Sequence, residues 1–258
     1  MIFLAAENPA TKPAINVCGG ASPFCNLDYY SLISSAIAIL ITIVFWLWLA
    51  RRLSSTQPGK LQAVVELIYG YARTQLKEQT GDEHSFILPI ALTLFFYILV
   101  ANWIDFFPLG VVRTFRPANS DLNQTVAMAL LVIIVVQGYS LRVLGLKGYL
   151  RRFTKPFELP RFVRYTYFLF LNILEEVTKP ISLALRLWGN IWAGGVLMIF
   201  LIGLLAGAGG IWAGVGLIFT LIWKPFDVFL IGSIQAFIFM LLTIIYFGMA
   251  REGLEEHH

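Results

Sequence analysis

Charged residues are scarce in this sequence, and the residues that bind metals or nucleotides are scarcer still. Only 13% of its 258 residues are charged and 58% are hydrophobic, whereas a soluble domain normally carries about 25% charged residues. The three histidines, His84, His257 and His258, are isolated or terminal, so no metal site is expected. The Gly-x-x-x-x-Gly-Lys-Ser/Thr pattern of phosphate-binding loops is lacking. We therefore expect neither a cofactor nor nucleotide chemistry in this chain.

Long apolar runs determine the class of protein. A helix needs about 20 apolar residues to cross the ~30 Å hydrocarbon core of a bilayer, and the short alternating segments of a membrane β-barrel are lacking. We predict an all-α integral membrane protein with one membrane domain at 30–251, an extracytoplasmic segment at 1–29 and a cytoplasmic tail at 252–258. The predicted spans are approximately 30–49, 85–104, 125–144, 165–205 and 212–249.

Three of the predicted helices are unusual in length or polarity. The last two spans are longer than the ~20 residues of a perpendicular crossing, so we predict that both are steeply tilted. Residues 61–79 repeat apolar side chains at three- and four-residue spacing but are too polar to span a bilayer. This segment is predicted to be an amphipathic helix, lying either on the membrane surface or a partner, or against the protein's own helices.

The N-terminal segment contains both cysteines, Cys18 and Cys25. They would close a small disulfide loop in an oxidising compartment and would otherwise remain two free thiols. Residues 1–11 lack the basic and apolar regions of a secretory signal peptide, so no cleaved leader is expected.

Basic residues are unevenly shared between the predicted loops. One side carries Arg51, Arg52, Lys60, Arg73, Lys77, Arg142, Lys147, Arg151, Arg152, Lys155, Arg161 and Arg164. The loop between the second and third spans has only Arg113 and Arg116. The positive-inside rule therefore places the N-terminus outside and the C-terminus in the cytoplasm. This asymmetry also accounts for the net charge of +4, and we expect no nucleic-acid binding.

Two groups of polar side chains interrupt the last two apolar segments. They are Glu175, Glu176, Lys179, Ser182, Arg186 and Asn190 in the first, and Lys224, Asp227, Ser233 and Gln235 in the second. At about 100° per residue, Glu175, Lys179, Arg186 and Asn190 form one stripe, with Glu176 off it. Pro180 is expected to kink this helix. The same eleven-residue arithmetic puts Lys224 and Gln235 on one face.

Arg186 is the strongest candidate for function in the first group. An arginine within hydrocarbon costs at least ~2.5–3.5 kcal/mol, so it normally faces a partner, a cavity or an ion path. Simple ion pairing remains an alternative for the other charges. Glu175 would pair with Lys179 and Lys224 with Asp227, and the two lysines would extend their amines toward the interface.

Two motifs resemble subunit a of the F-type ATP synthases. They are Lys179–Gly194, KPISLALRLWGNIWAG, and Gln235–Tyr246, QAFIFMLLTIIY. Asn102–Pro108 is similar to the family's segment at the end of an upstream span. The resemblance covers roughly residues 30–250. The Glu175-Glu176 pair, residues 193–195 and Lys224–Asp227 look most like actinobacterial members.

The resemblance implies a stationary proton-channel subunit in the bacterial plasma membrane. Arg186 would face the mid-membrane carboxylate of a rotating ring of c subunits, and two aqueous half-channels would meet at that ring. Proton translocation would drive ring rotation and ATP synthesis, with ATP catalysis in other subunits. The b subunits or peripheral stalk and the lipid bilayer would be the remaining partners. The choice between proton and sodium, and the ring size, are left open.

The resemblance also implies roles for the remaining polar residues. Asn190 and Gln235 would support the Arg186 site by hydrogen bonding. Glu175 and Glu176 match the acidic position near the cytoplasmic half-channel, and the stripe favours Glu175.

One position departs from the family pattern. Gly195 stands where many members carry Glu or His, and the apolar Val228 stands at the position of its partner on the last helix. Asp227 is therefore the candidate for the outer half-channel, with Asp105 nearer its mouth. Lys179 and Lys224 complete the candidate ion-translocation residues.

Two other classes of function were weighed against this one. In a secondary transporter, Arg186 would bind an anionic substrate, but inverted repeats and paired broken helices are not seen in the sequence. A purely structural scaffold would not need charges within its spans.

Overall fold

The protein is described by a computed structural model, which covers residues 14–16, 26–54, 58–81, 86–106, 118–152, 169–207 and 209–255. The cysteine pairing and the charges at 107–117 and 153–168 lie outside these ranges. Within them, five helical stretches are long and apolar enough to cross a membrane. Their bounds are Tyr29–Arg52, Ile87–Ile104, Leu122–Val143, Phe170–Met198 and Ile211–Ala250. The predicted all-α fold with five spans is therefore confirmed for the membrane domain.

Two short strands precede the first helix. Strand β1 (Ala14–Asn16) pairs antiparallel with β2 (Asn26–Asp28), and Ile15 lies opposite Leu27. Helix α1 (Tyr29–Arg52) follows β2 directly.

The predicted amphipathic helix is α2, Lys60–Thr80. It ends at Gly81, whose left-handed φ of 66° lets its N–H donate to the Lys77 carbonyl at 2.8 Å. One edge of α2, at Ala72 and Leu76, is fully buried, whereas Leu67 is exposed. The helix therefore packs against its own chain along one edge and still presents apolar surface on another.

The next two helices are α3 (Ile87–Ile104) and α4 (Leu122–Arg152), with a 3₁₀ turn at Ala118–Ser120 just before α4. Helical structure in α4 continues past the predicted end of the third span at 144. It breaks at Gly145, which has φ 64° and ψ 170°, a conformation that glycine adopts at little cost. The spanning part thus ends at Val143, and a separate helical piece follows the break.

Helix α5 (Leu169–Gly207) corresponds to the fourth predicted span and continues through Pro180. The fifth span was predicted as one helix at 212–249. It consists instead of α6 (Ile211–Pro225), a π-helical segment (Phe226–Ile231) and α7 (Gly232–Glu255).

The π-helical segment corrects the predicted register of the last span. The Gly232 N–H donates to the Asp227 carbonyl, five residues earlier, so this turn holds one residue more than an α-helical turn. One extra residue rotates everything that follows by about 100°. The eleven-residue arithmetic therefore fails across this segment, and Lys224 and Gln235 do not share a face.

The chain forms two compact units. The first comprises residues 1–52, 95–125 and 186–237, and an apolar cluster of Ala38, Ala101 and Ala118 lies in it. The second comprises 53–94, 126–185 and 238–258. In the second unit, the rings of Phe86, Tyr139 and Phe247 pack at centroid distances of 4.9–5.5 Å.

Candidate functional site

Arg186 lies on the exposed face of α5. Its neighbours Ala184 and Leu187 are buried, whereas Arg186 itself is exposed. Among the residues that the structure describes, no side chain forms a hydrogen bond or ion pair with its guanidinium. The same face continues, still exposed, at Leu197 and Phe200. Within the described part of the chain, Arg186 is thus a charge without a counter-ion, followed on the same face by exposed apolar side chains.

A polar pocket lies in the first unit. It is open on one side and has room for at least one water molecule. Its lining residues are Asn102, Asp105, Asn190, Ile191, Asp227, Val228 and Gly232. The structure therefore brings together three of the sequence-predicted site residues, Asp105, Asn190 and Asp227.

Asp227 reaches the pocket from the π-helical segment and lies against Gly194 of α5. A Cβ added at Gly194 would lie 2.8 Å from Asp227 Cγ, closer than real Cβ atoms come to other atoms. The neighbouring Gly195 has no heavy atom within 4 Å of such a Cβ. The absence of a side chain at Gly194, rather than at Gly195, is what admits the Asp227 carboxylate.

Lys224 forms an ion pair with Asp105, which directly follows the end of α3. Both side chains are largely buried. Burial raises the pKa of the Asp105 carboxyl, and the positive charge of Lys224 acts in the opposite direction. The sequence offered Asp227 as an alternative partner for Lys224. The ion pair is made instead by Asp105, distant in sequence, although the charge of Lys224 also acts on Asp227.

Asn102 fastens the end of α3 to the start of α7. Its Nδ2 donates to the Gly232 carbonyl at 3.0 Å, and its Oδ1 accepts from Asn119 Nδ2 at 2.9 Å. Next to it, Trp103 Nε1 donates to Ser233 Oγ at 3.1 Å. Asn102 therefore holds the residue that ends the π-helical segment. Sequence analysis missed Asn119, which has no local signal because its partner is a long-range one.

The second unit contains an acidic cluster on α5. Lys179 Nζ lies 3.0 Å from both Glu175 Oε1 and Glu176 Oε1, so the predicted Glu175–Lys179 pair is confirmed. The Glu175 side chain is 54% exposed and that of Glu176 only 19%. Glu176 also accepts a hydrogen bond from Gln137 Nε2 of α4. Gln137 was missed, although an amide inside the apolar run VIIVVQGY was a signal for it.

The two predicted amide supports of Arg186 lie in the first unit. Asn190 is half-buried at the pocket and Gln235 is buried. No hydrogen bond from either one to Arg186 occurs within the described part of the chain, so their supporting role stays a prediction.

The five long apolar helical stretches define a polytopic helical membrane protein. The model of the ATP synthase A chain family matches residues 32–248. The ATP synthase subunit a of Mycobacterium tuberculosis is 38% identical over 237 residues, which cover 88% of this chain and 89% of that protein. The subunit a of Mycobacterium marinum is 36% identical over the same shares, and that of Acidothermus cellulolyticus is 35% identical over 88% and 80%.

This chain belongs to the ATP synthase A chain family. It is a multi-pass membrane subunit of an F-type ATP synthase, in the part of the complex concerned with proton transport. The resemblance to actinobacterial members is also confirmed.

Proposed function

We propose that this chain is the stationary proton-channel subunit of a bacterial F-type ATP synthase. The observation that carries the proposal is Arg186, exposed on α5 without a counter-ion among the described residues. A guanidinium remains charged at any physiological pH and is costly to leave unpaired in hydrocarbon. A ring of c subunits, each with a carboxylate at mid-membrane, would supply that partner from outside the chain.

Arg186 controls the protonation of the ring in this mechanism. A nearby positive charge favours the ionised form of a carboxyl group, so each ring carboxylate releases its proton as it reaches Arg186 and gains another after passing it. The arginine also blocks direct proton flow between the two aqueous half-channels. Each proton that crosses contributes about 2.3 kcal/mol per 100 mV of membrane potential. That energy turns the ring, and ATP is made in other subunits.

The pocket in the first unit serves as the outer half-channel. Asp227 lies in it and forms no ion pair within the described residues, so its carboxyl is the group that accepts and passes on protons. Asp105 lies nearer the mouth. Lys224 forms its ion pair with Asp105, so the proposal assigns proton exchange in the pocket to Asp227.

The Glu175–Glu176–Lys179 cluster serves the cytoplasmic half-channel. Glu175 is the more exposed carboxylate and is the one proposed to exchange protons with water. Glu176, bonded to Gln137 and Lys179, keeps the lysine in place.

The remaining expectations complete the proposal. Asn190 and Gln235 provide hydrogen-bonding groups for the Arg186 site. The N-terminus lies outside and the C-terminus in the cytoplasm, because the basic residues gather on one side. The last two spans tilt steeply across the bilayer beside the ring. The b subunits of a peripheral stalk keep the chain from turning with the ring.

The proposal is tested by replacing Arg186 with alanine and measuring ATP-driven acidification of inverted membrane vesicles. Arg142→Ala is the matched control, since Arg142 is also an exposed arginine. Immunoblots show whether each variant complex assembles. We expect Arg186→Ala to abolish pumping in an assembled complex and Arg142→Ala to pump within about twofold of wild type. Normal pumping by Arg186→Ala would overturn the proposal.

A further inference from the structure

The indole ring of Trp188 connects α5 to the 3₁₀ turn Ala118–Ser120. Its Nε1 donates to the Ser120 carbonyl oxygen at 3.1 Å. Trp188 is half-buried, and the ring of Trp192, one turn further along α5, stacks on it with the centroids 6.0 Å apart and the planes 20° apart. Among the described side chains of α5 from Arg186 onward, no other makes a hydrogen bond to a different element. The Trp188 bond is therefore the polar restraint on this half of the helix.

The turn that accepts this hydrogen bond is itself held in place. Ala118 is buried and belongs to the apolar cluster of the first unit. Asn119 is fully buried, and its Nδ2 donates to Asn102 Oδ1 at 2.9 Å. The turn, Asn102 and Trp188 all belong to the first unit. The indole of Trp188 thus binds to a fixed point of that unit.

Trp188 and Arg186 lie on opposite sides of α5. Two residues at about 100° each separate them by about 200° around the helix axis. Leu187, between them in sequence, is fully buried, whereas Arg186 is exposed. The bond at Trp188 therefore fixes the rotation of the helix and, with it, the direction in which the guanidinium points. A rotation of about 20° would move a group ~5 Å from the axis by about 2 Å, which is enough to break a hydrogen-bonded contact with a carboxylate.

We propose that Trp188 is a positioning residue for Arg186, acting through its hydrogen bond to the Ser120 carbonyl. The inference rests on the proposed function, in which Arg186 meets the ring carboxylates and blocks direct proton flow between the half-channels. When the bond is lost, α5 rotates more freely and Arg186 spends part of its time away from the ring. Protons then pass between the half-channels without turning the ring. An ordinary hydrogen bond shifts an equilibrium about two- to tenfold, so the proton leak should rise by a similar factor.

The test uses inverted membrane vesicles that carry the whole complex. Trp188→Phe keeps an aromatic ring and removes the N–H donor. A second variant carries benzothienylalanine at position 188, in which sulphur replaces the N–H and the bicyclic shape is kept. Trp192→Phe is the matched control, because the Trp192 indole makes no hydrogen bond within the described part of the chain.

Two quantities are measured on each variant. The first is the number of protons pumped per ATP hydrolysed, from the initial rates of acidification and hydrolysis in the same vesicles. The second is the passive proton conductance per complex after the peripheral, ATP-hydrolysing subunits are washed off. A merely structural role would lower the amount of assembled complex and both rates together, and would leave their ratio unchanged. We expect both Trp188 variants to lower the ratio at least about twofold and to raise the conductance about two- to tenfold, with Trp192→Phe close to wild type.

The outcomes distinguish the hydrogen bond from simple packing. Loss of coupling in both Trp188 variants but not in Trp192→Phe supports the proposal. An unchanged ratio and conductance in the benzothienylalanine variant overturns it, whatever Trp188→Phe does. Equal losses in Trp188→Phe and Trp192→Phe also overturn it, because aromatic packing would then be responsible.

The Arg186→Ala experiment keeps the two proposals separate. Normal pumping by Arg186→Ala overturns the proposed function itself. Loss of pumping in Arg186→Ala, together with unchanged coupling in the Trp188 variants, overturns only the positioning role of Trp188.

Discussion

The two charged clusters of this protein contain the same groups but are built differently. Each has two carboxylates and one lysine. In the second unit, Glu175, Glu176 and Lys179 lie within two turns of a single helix. In the first unit, Lys224 of α6 pairs with Asp105, which follows α3, while Asp227 comes from the π-helical segment.

This difference determines what maintains each cluster. Pairs at i,i+3 and i,i+4 are brought together by helix geometry alone, so the Glu175–Lys179 pair persists wherever α5 is helical. The Lys224–Asp105 pair exists only while the end of α3 stays against the last span, a contact that Asn102 maintains through Gly232. The cluster on α5 is therefore robust, whereas the cluster around Lys224 is sensitive to changes in the packing around it.

After Arg186→Ala, the largest expected effect on proton pumping comes from closing the space that Asp227 occupies. Gly194→Ala places a Cβ against the Asp227 carboxylate, which must then leave the pocket or force α5 away. We expect proton pumping to fall at least about tenfold, since overpacking of this kind typically costs 1–3 kcal/mol. Initial rates of vesicle acidification measure the effect.

Gly195→Ala is the control for that experiment. Its added Cβ meets no heavy atom within 4 Å, so pumping should stay within about twofold of wild type. Equal losses in the two variants would mean that pumping requires a residue without a side chain at both positions of α5, for a reason other than the Asp227 contact.

A smaller effect, on the stability of the complex, is expected when Lys224 or Lys179 is replaced by methionine. Lys224→Met leaves Asp105, 27% exposed, without its cation or any other side-chain partner among the described residues, and unpairing a largely buried charge costs up to about 3–5 kcal/mol. Lys179→Met leaves Glu175 exposed to solvent and Glu176, 19% exposed, still bonded to Gln137, so its cost should be smaller, about 1–3 kcal/mol. Thermal unfolding of the purified complexes compares the two. A greater loss from Lys179→Met would contradict this account of how the clusters are maintained.

The smallest expected effect concerns Gln137, whose side-chain amide donates a hydrogen bond from α4 to the Glu176 carboxylate. Gln137→Leu removes its hydrogen bond while keeping similar bulk. One such bond contributes about 1 kcal/mol, so pumping should fall roughly two- to fivefold. Gly138→Ala is the matched control, because its added Cβ lies in open space. Unchanged pumping in Gln137→Leu would show that this hydrogen bond is not needed to hold Glu176.

The distinction between contacts within one helix and contacts between distant segments explains which features could be predicted from the sequence. The five spans follow from long apolar runs, and the Glu175–Lys179 pair follows from helical spacing; both are confirmed. The ion pair of Lys224 with Asp105 could not be predicted, because nothing local indicates that Asp105 lies beside α6. Asn119 was missed for the same reason. The π-helical segment was missed because one extra hydrogen-bonded residue leaves the apolar pattern of the span unchanged.

The π-helical segment at Phe226–Ile231 rotates the faces of α7 by a fixed angle relative to those of α6. In a membrane helix with a strict period of 3.6 residues, both halves present their side chains on the same set of faces. A residue inserted in one half would therefore rotate every side chain of the other half away from its neighbours. Here the extra residue is absorbed within a single turn. The sequence of α6 can therefore suit one set of neighbours and that of α7 another. A one-residue deletion in this segment would put the two halves back in phase and turn the face of α7 away from the partners it now contacts.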